Sequence, residues 1–175
     1  MIYEIKDTNK ISPLFGHWEE TLIWSCLQGI MGKIYANDLT APTAAMAVIG
    51  DFTFFAGEPC PELIAYRPPH CTQNFMIAVP QNKLWENMLT QFYGKKAKII
   101  SRYATKKEPP IFNKHHLEKI VASLPKQYTL SMIDSHFYKL CKSEAWSKDL
   151  VSQFSTYEKY RRLGIGVVIS KDGLI

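Results

Sequence analysis

Short runs of Val, Ile and aromatic residues alternate along this chain with amphipathic stretches that begin at Ser, Asn or Asp and stop at Gly or Pro. A helix buries one stripe and a strand one face, so such an alternation is stable only when helices and sheet pack on each other in layers. The expected class is therefore α/β (α+β). Ser12 and Pro13 read as an N-cap with proline in the first turn. Leu14, Phe15, Trp18, Leu22 and Cys26 then form one apolar stripe ended by Gly29, which predicts a single helix. Residues 32–36 read as a short strand, and residues 44–57 as two strands bent or joined near Gly50. Pro59 and Pro61 open a helical turn through Leu63, Ile64 and Tyr66, which Pro68 and Pro69 break.

The middle of the chain repeats this grammar. Phe75-Met76-Ile77-Ala78-Val79 reads as a buried strand. Asn82 then caps a helix with Leu84, Trp85, Met88, Leu89 and Phe92 on one face, and Gly94 ends it. Residues 98–104 read as a returning strand. Asn113 caps a further helix that turns Leu117, Ile120, Val121 and Leu124 inward before Pro125.

In the last third, residues 128–133 read as a strand, and Asp134 caps a helix bearing Phe137, Tyr138, Leu140 and Cys141. Ser147 is the expected cap of a longer helix with Leu150, Val151, Phe154, Tyr157 and Tyr160 at helical spacing. Asp149 stands near its positive end, Arg161 and Arg162 near its negative end. After Gly164 as C-cap, residues 164–170 read as a strand and Lys171-Asp172-Gly173 as its turn, since Asp and Gly tolerate the positive φ of a type I′ hairpin. Only Leu174 and Ile175 remain to pair back, too few to satisfy the partner backbone. The expectation is that these 175 residues are the truncated front portion of a longer protein.

Composition narrows the class of partner. With 46% hydrophobic and 21% charged residues the chain can build a core and lacks the signature of disorder. No basic start followed by a long apolar stretch marks a signal peptide, and no apolar run approaches the roughly 20 residues of a span. No membrane partner is therefore expected. Cys26, Cys60, Cys71 and Cys141 are scattered without a framework spacing, which favours reduced thiols and a cytoplasmic location. The net charge of +5 gathers in Lys95, Lys96, Lys98, Arg102, Lys106, Lys107, Lys114 and Lys119, with His115 and His116 between. Without a nucleic-acid motif beside it, this stretch reads as a solvated face, and a nucleic-acid partner is not expected.

Several side-chain groups invite chemistry and are better explained otherwise. Cys60, His70 and Cys71 lack a Cys-x-x-Cys knuckle, so no metal centre is expected. His115 and His116 are neighbours on a helix and point about 100° apart. Asp134, His136 and Cys141 suggest a nucleophile set, yet Asp134 is accounted for as a cap and Cys141 as a buried helix residue. Asp51 lies on a largely apolar strand and must be exposed, paired or functional.

Residues 128–175 resemble the opening of a GNAT-superfamily domain, the acetyl-CoA-dependent N-acetyltransferases, which begins with a strand, two helices and an antiparallel hairpin. Gly50-Asp51-Phe52-Thr53-Phe54-Phe55-Ala56-Gly57, Arg102-Tyr103-Ala104-Thr105-Lys106-Lys107-Glu108, and residues 154–173 with Tyr157-Glu158-Lys159-Tyr160 and Gly164-Ile165-Gly166 resemble a bacterial GNAT subfamily carrying an extra N-terminal α/β region. The resemblance implies an N-terminal region over 1–126 and the start of a GNAT-like domain over 127–175. Arg161-Arg162-Leu163-Gly164-Ile165-Gly166 fits the Arg/Gln-x-x-Gly-x-Gly/Ala pattern of the family's pyrophosphate loop. Such a loop needs a strand before it and a helix N-terminus after it. Here a helix precedes and a β-branched run follows, so the segment reads as a C-cap and strand start. The coenzyme loop is then expected beyond Ile175.

What the resemblance implies is acetyl transfer from acetyl-CoA to an amine, carried by a small molecule or a protein. The groups that hold the thioester carbonyl and protonate the thiolate would follow the hairpin, so no catalytic residue is assigned. Tyr138, Glu144 and Trp146 are the expected substrate-binding residues, Glu144 orienting a cationic amine and Trp146 covering it. The competing reading is a non-catalytic α/β module that binds a partner through an open sheet edge or basic face. An unpaired edge is a template for pairing. Residues 167–170 are thus expected to pair with another chain in a homodimer, to be covered by a helix, or to lie against their own sheet.

Overall fold

In the computed structural model, which describes residues 1–175 apart from 104, 106, 107 and 110, the chain divides into two units, Met1–Ile99 and Ile100–Ile175. The first unit runs β1 (Tyr3–Ile5), α1 (Ser12–Phe15), α2 (Thr21–Leu27), β2 (Lys33–Ala36), β3 (Ala44–Ile49), β4 (Phe52–Gly57), α3 (Pro61–Ala65), β5 (Ile77–Pro80) and α4 (Lys83–Tyr93). Its five strands lie in sequence order, antiparallel except for the parallel pair β4 and β5 that the α3 crossover joins. Because side chains alternate across a strand, β3 feeds two cores at once. Ala45, Ala47 and Ile49 pack with Phe15, Ile23 and Cys26, while Ala44, Met46 and Val48 pack with Leu63, Ile64, Trp85 and Leu89.

The bend near Gly50 is a two-residue hairpin with Ile49 opposite Phe52. Gly50 alone has positive φ, +55°, the order of a type II′ turn. Asn82 caps α4 as expected, its Oδ1 accepting from the Leu84 and Trp85 amides at 3.0 and 3.1 Å. The Trp85 indole donates to the Gly57 carbonyl at 2.9 Å, which ties that helix to the end of β4.

Four local expectations are corrected. The single helix over 12–29 is two short ones, because Gly16 takes φ +57° and Glu20 starts a new helix by accepting from the Leu22 amide at 3.3 Å. The stripe survives the break, since Leu14, Phe15, Trp18, Leu22 and Cys26 all join one core. The buried strand expected over 75–79 is the half-buried edge strand β5, Ile77–Pro80, with Phe75 exposed before it, and Leu84 and Phe92 of α4 stay exposed. The strand expected over 98–104 is absent from its described residues; Ile99, Ile100 and Tyr103 are exposed, and neither sheet edge supplies a ladder to them. Ala104, and the Lys106 and Lys107 of the basic stretch, lie outside the described residues.

The second unit holds α5 (Lys114–Ala122), β6 (Thr129–Met132), α6 (Ser135–Ser143), α7 (Lys148–Val151), α8 (Tyr157–Leu163) and β7 (Val167–Ser170). β7 lies against its own sheet, antiparallel to β6, with Leu130 opposite Ile169 and Met132 opposite Val167. Asp172 and Gly173 take φ +52° and +77° and Lys171 and Leu174 exchange two 2.9 Å backbone hydrogen bonds, the expected type I′ turn. Asn113 and Asp134 cap α5 and α6. The face of α5 expected to turn inward remains exposed at Leu117, Ile120 and Val121. The long helix expected after Ser147 is again two. Ser147 is fully buried and donates to the Cys141 carbonyl at 3.1 Å instead of capping, and the Thr156 hydroxyl caps α8 by accepting from the Lys159 amide at 3.2 Å. Among the described residues no helix is long and apolar enough to cross a membrane.

Candidate functional site

The turn from α6 to α7 is hydrogen-bonded to both helices and carries two exposed side chains. The Glu144 amide donates to the Leu140 carbonyl at 3.1 Å and closes α6, while its own carbonyl accepts from the Lys148 amide at 3.0 Å and opens the next turn. Ser147 and Val151 anchor this turn inside the unit. Trp146, 65% exposed, and Glu144 stand on its outer side in solvent. Tyr138, earlier on α6, is buried, and its hydroxyl is committed to the Phe154 carbonyl at 2.6 Å. Its ring centroid is 5.7 Å from that of Tyr157 and 5.5 Å from that of Tyr160. Glu144 and Trp146 thus share one exposed turn, and Tyr138 is not brought together with them: it is buried against Tyr157 and Tyr160. Lys142 went unnoticed in the sequence: its Nζ lies 5.4 Å from the Tyr138 ring centroid and 3.4 Å from its hydroxyl. The i, i+4 spacing of the two residues was the available signal.

The remaining constellations resolve into structural roles. Asp51 is the second residue of the β3–β4 turn, and its carbonyl accepts from the Ile77 amide at 2.7 Å, setting β5 beside β4. The Cys60 thiol donates to Glu62 Oε2 at 3.2 Å in a cleft of about 230 Å³ lined by Met1, Ile2, Asn37, Cys60 and Glu62. His70 Nδ1 lies 3.4 Å from the Tyr35 hydroxyl, and partial burial with Lys33 nearby holds its imidazole below the ordinary value. Burial pushes the Cys60 and Cys71 thiols up. Among the described residues no three His, Cys, Asp or Glu side chains gather as a metal set. Asp134 accepts from the Phe137 amide at 2.9 Å as a cap, and Cys141 is buried.

Residues 161–166 are shaped by packing. The Gly164 amide donates to the Tyr160 carbonyl at 2.7 Å, and the Gly166 carbonyl accepts from the Ile133 amide at 3.0 Å. A Cβ on Gly164 would come within 2.8 Å of the Tyr160 ring, and one on Gly166 within 2.7 Å of its hydroxyl. Both glycines therefore let the chain pass close over Tyr160 into β7.

The sequence model of the GNAT acetyltransferase family matches residues 12–175. The chain belongs to the GNAT acetyltransferase family. The crystal structure of a GCN5-related N-acetyltransferase-like protein from Streptococcus suis 89/1591 is similar to it with a TM-score of 0.77 and 38% sequence identity, over 96% of this chain and 67% of that one. No curated protein matches the sequence. GNAT proteins typically use acetyl-CoA, and two segments of this GNAT chain invite comparison with a pyrophosphate cradle. At 161–166 a strand follows directly, so no helix N-terminus aims amides at an anion. At the β4–α3 crossover Pro59 and Pro61 have no N–H, the Gly57 amide is held by Gln81 at 3.0 Å and the Glu58 amide by the Thr43 carbonyl at 2.8 Å. Glu58 and Glu62 add like charge there. Neither segment fits the phosphates of the coenzyme.

Proposed function

We propose that this chain is the N-terminal portion of an acetyl-CoA-dependent N-acetyltransferase that acylates an amine, and that these residues alone do not turn over. The observation that carries the reading is the match to the GNAT family over 12–175 together with the absence of a fitting phosphate cradle at the two places described. The domain start is placed near residue 127, with 1–126 as the additional α/β region. Tyr138, Glu144 and Trp146 serve the acceptor side. The Glu144 carboxylate attracts the ammonium form, Trp146 shields it from water, and Tyr138 fixes α6, which carries the turn, through its bond to the Phe154 carbonyl. Transfer requires the neutral amine, so a base must remove one proton before attack, and an acid must protonate the departing thiolate; neither role is assigned to a residue of this chain. The four free thiols suit a cytoplasmic location.

The test is thiol release from acetyl-CoA with a panel of primary amines. The polypeptide encoded by the uninterrupted reading frame should be active and the 175-residue chain inactive. A reading frame that stops after Ile175, or a long form silent with every amine, would favour the second reading, a non-catalytic module pairing through an open edge as a homodimer. The open outer edges of β1 and β5 are what favour that second reading.

A further inference from the structure

Between α3 and β5 the chain crosses residues 67–76 with little to hold it. Pro68 and Pro69 have no N–H to give. The Cys71 amide donates to the Pro68 carbonyl at 2.9 Å and the Arg67 guanidinium to the Phe75 carbonyl at 3.4 Å, so both bonds stay inside the segment. Among the described residues one hydrogen bond ties it to the rest of the first unit, between the Tyr35 hydroxyl of β2 and His70 Nδ1 at 3.4 Å. Apolar contact adds to this tie. Pro68 is buried, and Cys71 packs on the core of Met46, Leu63, Ile64 and Trp85.

Burial fixes the direction of that bond. Tyr35 is 1% exposed and its hydroxyl has no other hydrogen-bond partner among the described residues, so its proton goes to Nδ1 and the imidazole carries its own on Nε2. The His70 ring stacks on Tyr35 at 17° with centroids 6.3 Å apart, and the Tyr66 ring lies 5.3 Å from that of Tyr35. An imidazolium has two N–H groups and no acceptor. Protonation of His70 therefore leaves the buried hydroxyl proton without a partner. The neighbouring charges do not compensate. Lys33 of β2 repels the imidazolium, and Glu4 of β1 is held by Lys33 Nζ at 2.8 Å. Tyr66 and Cys71 face Tyr35, while Arg67 and Asp51 act on Cys71. The imidazole is accordingly held below its ordinary value, chiefly by burial and then by Lys33, with Glu4 opposing. His70 remains exposed enough for solvent protons to reach it.

We propose that His70 is an acid-released latch: neutral, it pins residues 67–76 to the sheet through Tyr35, and protonated, it lets this segment lift and uncovers Cys71. Because the fold favours the neutral imidazole, the stability this contact contributes is fully present above the ordinary histidine value of 6.5 and is lost as pH falls through the lower folded value. The opening is local. The buried members of both cores that β3 feeds lie outside 67–76, so the sheet stays closed when the segment leaves. The latch is independent of the acetyltransferase reading, since it uses none of the residues assigned to the acceptor.

The experiment labels the native chain with 4,4′-dithiodipyridine from about pH 7.5 down to about pH 5 and quantifies Cys71 and Cys60 by peptide mass spectrometry. Burial raises both thiols, so the fall in thiolate with pH cancels in the ratio of Cys71 to Cys60 labelling. That ratio should rise about fivefold towards the acid end, with the far-UV circular dichroism unchanged, as a local opening requires. In His70→Gln, which has no proton to gain, the ratio should not vary with pH. In Tyr35→Phe, which keeps the ring and removes the donor, it should be high at neutral pH already and change little. In the parent chain at about pH 7.5 the His70 nitrogen chemical shifts should show Nδ1 without a proton. A ratio independent of pH in the parent, the same rise in His70→Gln, a rise that comes only with loss of the far-UV signal, or a proton on Nδ1 at neutral pH would each overturn the latch.

Discussion

The Tyr160 hydroxyl lies against Gly166 so closely that a single methyl group on that glycine would reach it at 2.7 Å. The same hydroxyl is buried and, among the described residues, has no hydrogen-bond partner. The glycine-rich approach to β7 is thus set by the width of one tyrosine.

Gly166→Ala should destabilise the chain by about 1–3 kcal/mol, the usual result of overpacking, as a loss of denaturation midpoint in urea. Tyr160→Phe removes the atom in the way. It should be neutral or slightly stabilising by itself, because an unsatisfied buried hydroxyl costs about 1–3 kcal/mol, and it should rescue Gly166→Ala in a double-mutant cycle. Full additivity of the two changes would show that they do not meet.

Tyr138→Phe should do the reverse. The Tyr138 hydroxyl donates to the Phe154 carbonyl at 2.6 Å inside the unit. Its deletion leaves that carbonyl without the bond and should lower stability by about 1 kcal/mol, with the urea m-value unchanged. A variant as stable as the parent would mean that water replaces the hydroxyl.

Much of this architecture was legible in the sequence, and each departure from it has an identifiable physical cause. Asn82, Asn113 and Asp134 were readable as caps because the side chain that satisfies the free amides is local. The Gly50 and Asp172-Gly173 turns were readable because positive φ selects few residues. The two long helices were not real because periodicity reports which residues face the core and not whether the chain between them stays helical. Gly16 with Glu20, and Thr156, break the helices without moving the stripe. Residues 98–103 carry strand propensity, yet a strand exists only where another supplies the ladder, which is information held elsewhere in the fold. Glu144 and Trp146 were legible as neighbours on a turn; that Tyr138 would be committed to Phe154 was not, because its acceptor is a backbone carbonyl distant in sequence.

Alkaline pH should weaken the first unit in a defined window. Burial pushes the Cys26 thiol from its ordinary 9.0 up to about 11, so between these values the unfolded chain releases a proton that the folded chain keeps. Stability contributed by the protonated thiol is fully present below pH 9 and is lost as pH rises towards about 11. Tyr35, also raised, mainly by burial, adds loss of the same sign at higher pH. Melting temperature measured across this window should fall, and Cys26→Ala should flatten the first part of the slope. At pH 8 in the native protein, Ellman's reagent should reach Cys60 and Cys71 well before the buried Cys26 and Cys141.

Asn82→Ala should cost about 1 kcal/mol, since one carboxamide oxygen satisfies two amides at the start of α4. The loss should be localised. Hydrogen exchange at Leu84 and Trp85 should accelerate more than in β3, and uniform acceleration would show that the cap is coupled to the whole sheet.

Trp146 and Glu144 offer the sharpest separation of function from stability. Trp146 is 65% exposed, so Trp146→Ala should shift unfolding by no more than about 0.5 kcal/mol. If the turn faces the acceptor amine, the same change in the active long form should raise KM for the amine about tenfold, equivalent to about 1.4 kcal/mol, with KM for acetyl-CoA unchanged. Glu144→Gln should raise KM for amines that are cationic at the assay pH and leave weakly basic ones nearly unaffected, because only the former bring the positive charge that the carboxylate attracts. Equal effects on both kinds of amine would place Glu144 in the frame of the turn, where its backbone already closes α6, and would remove its side chain from acceptor selection.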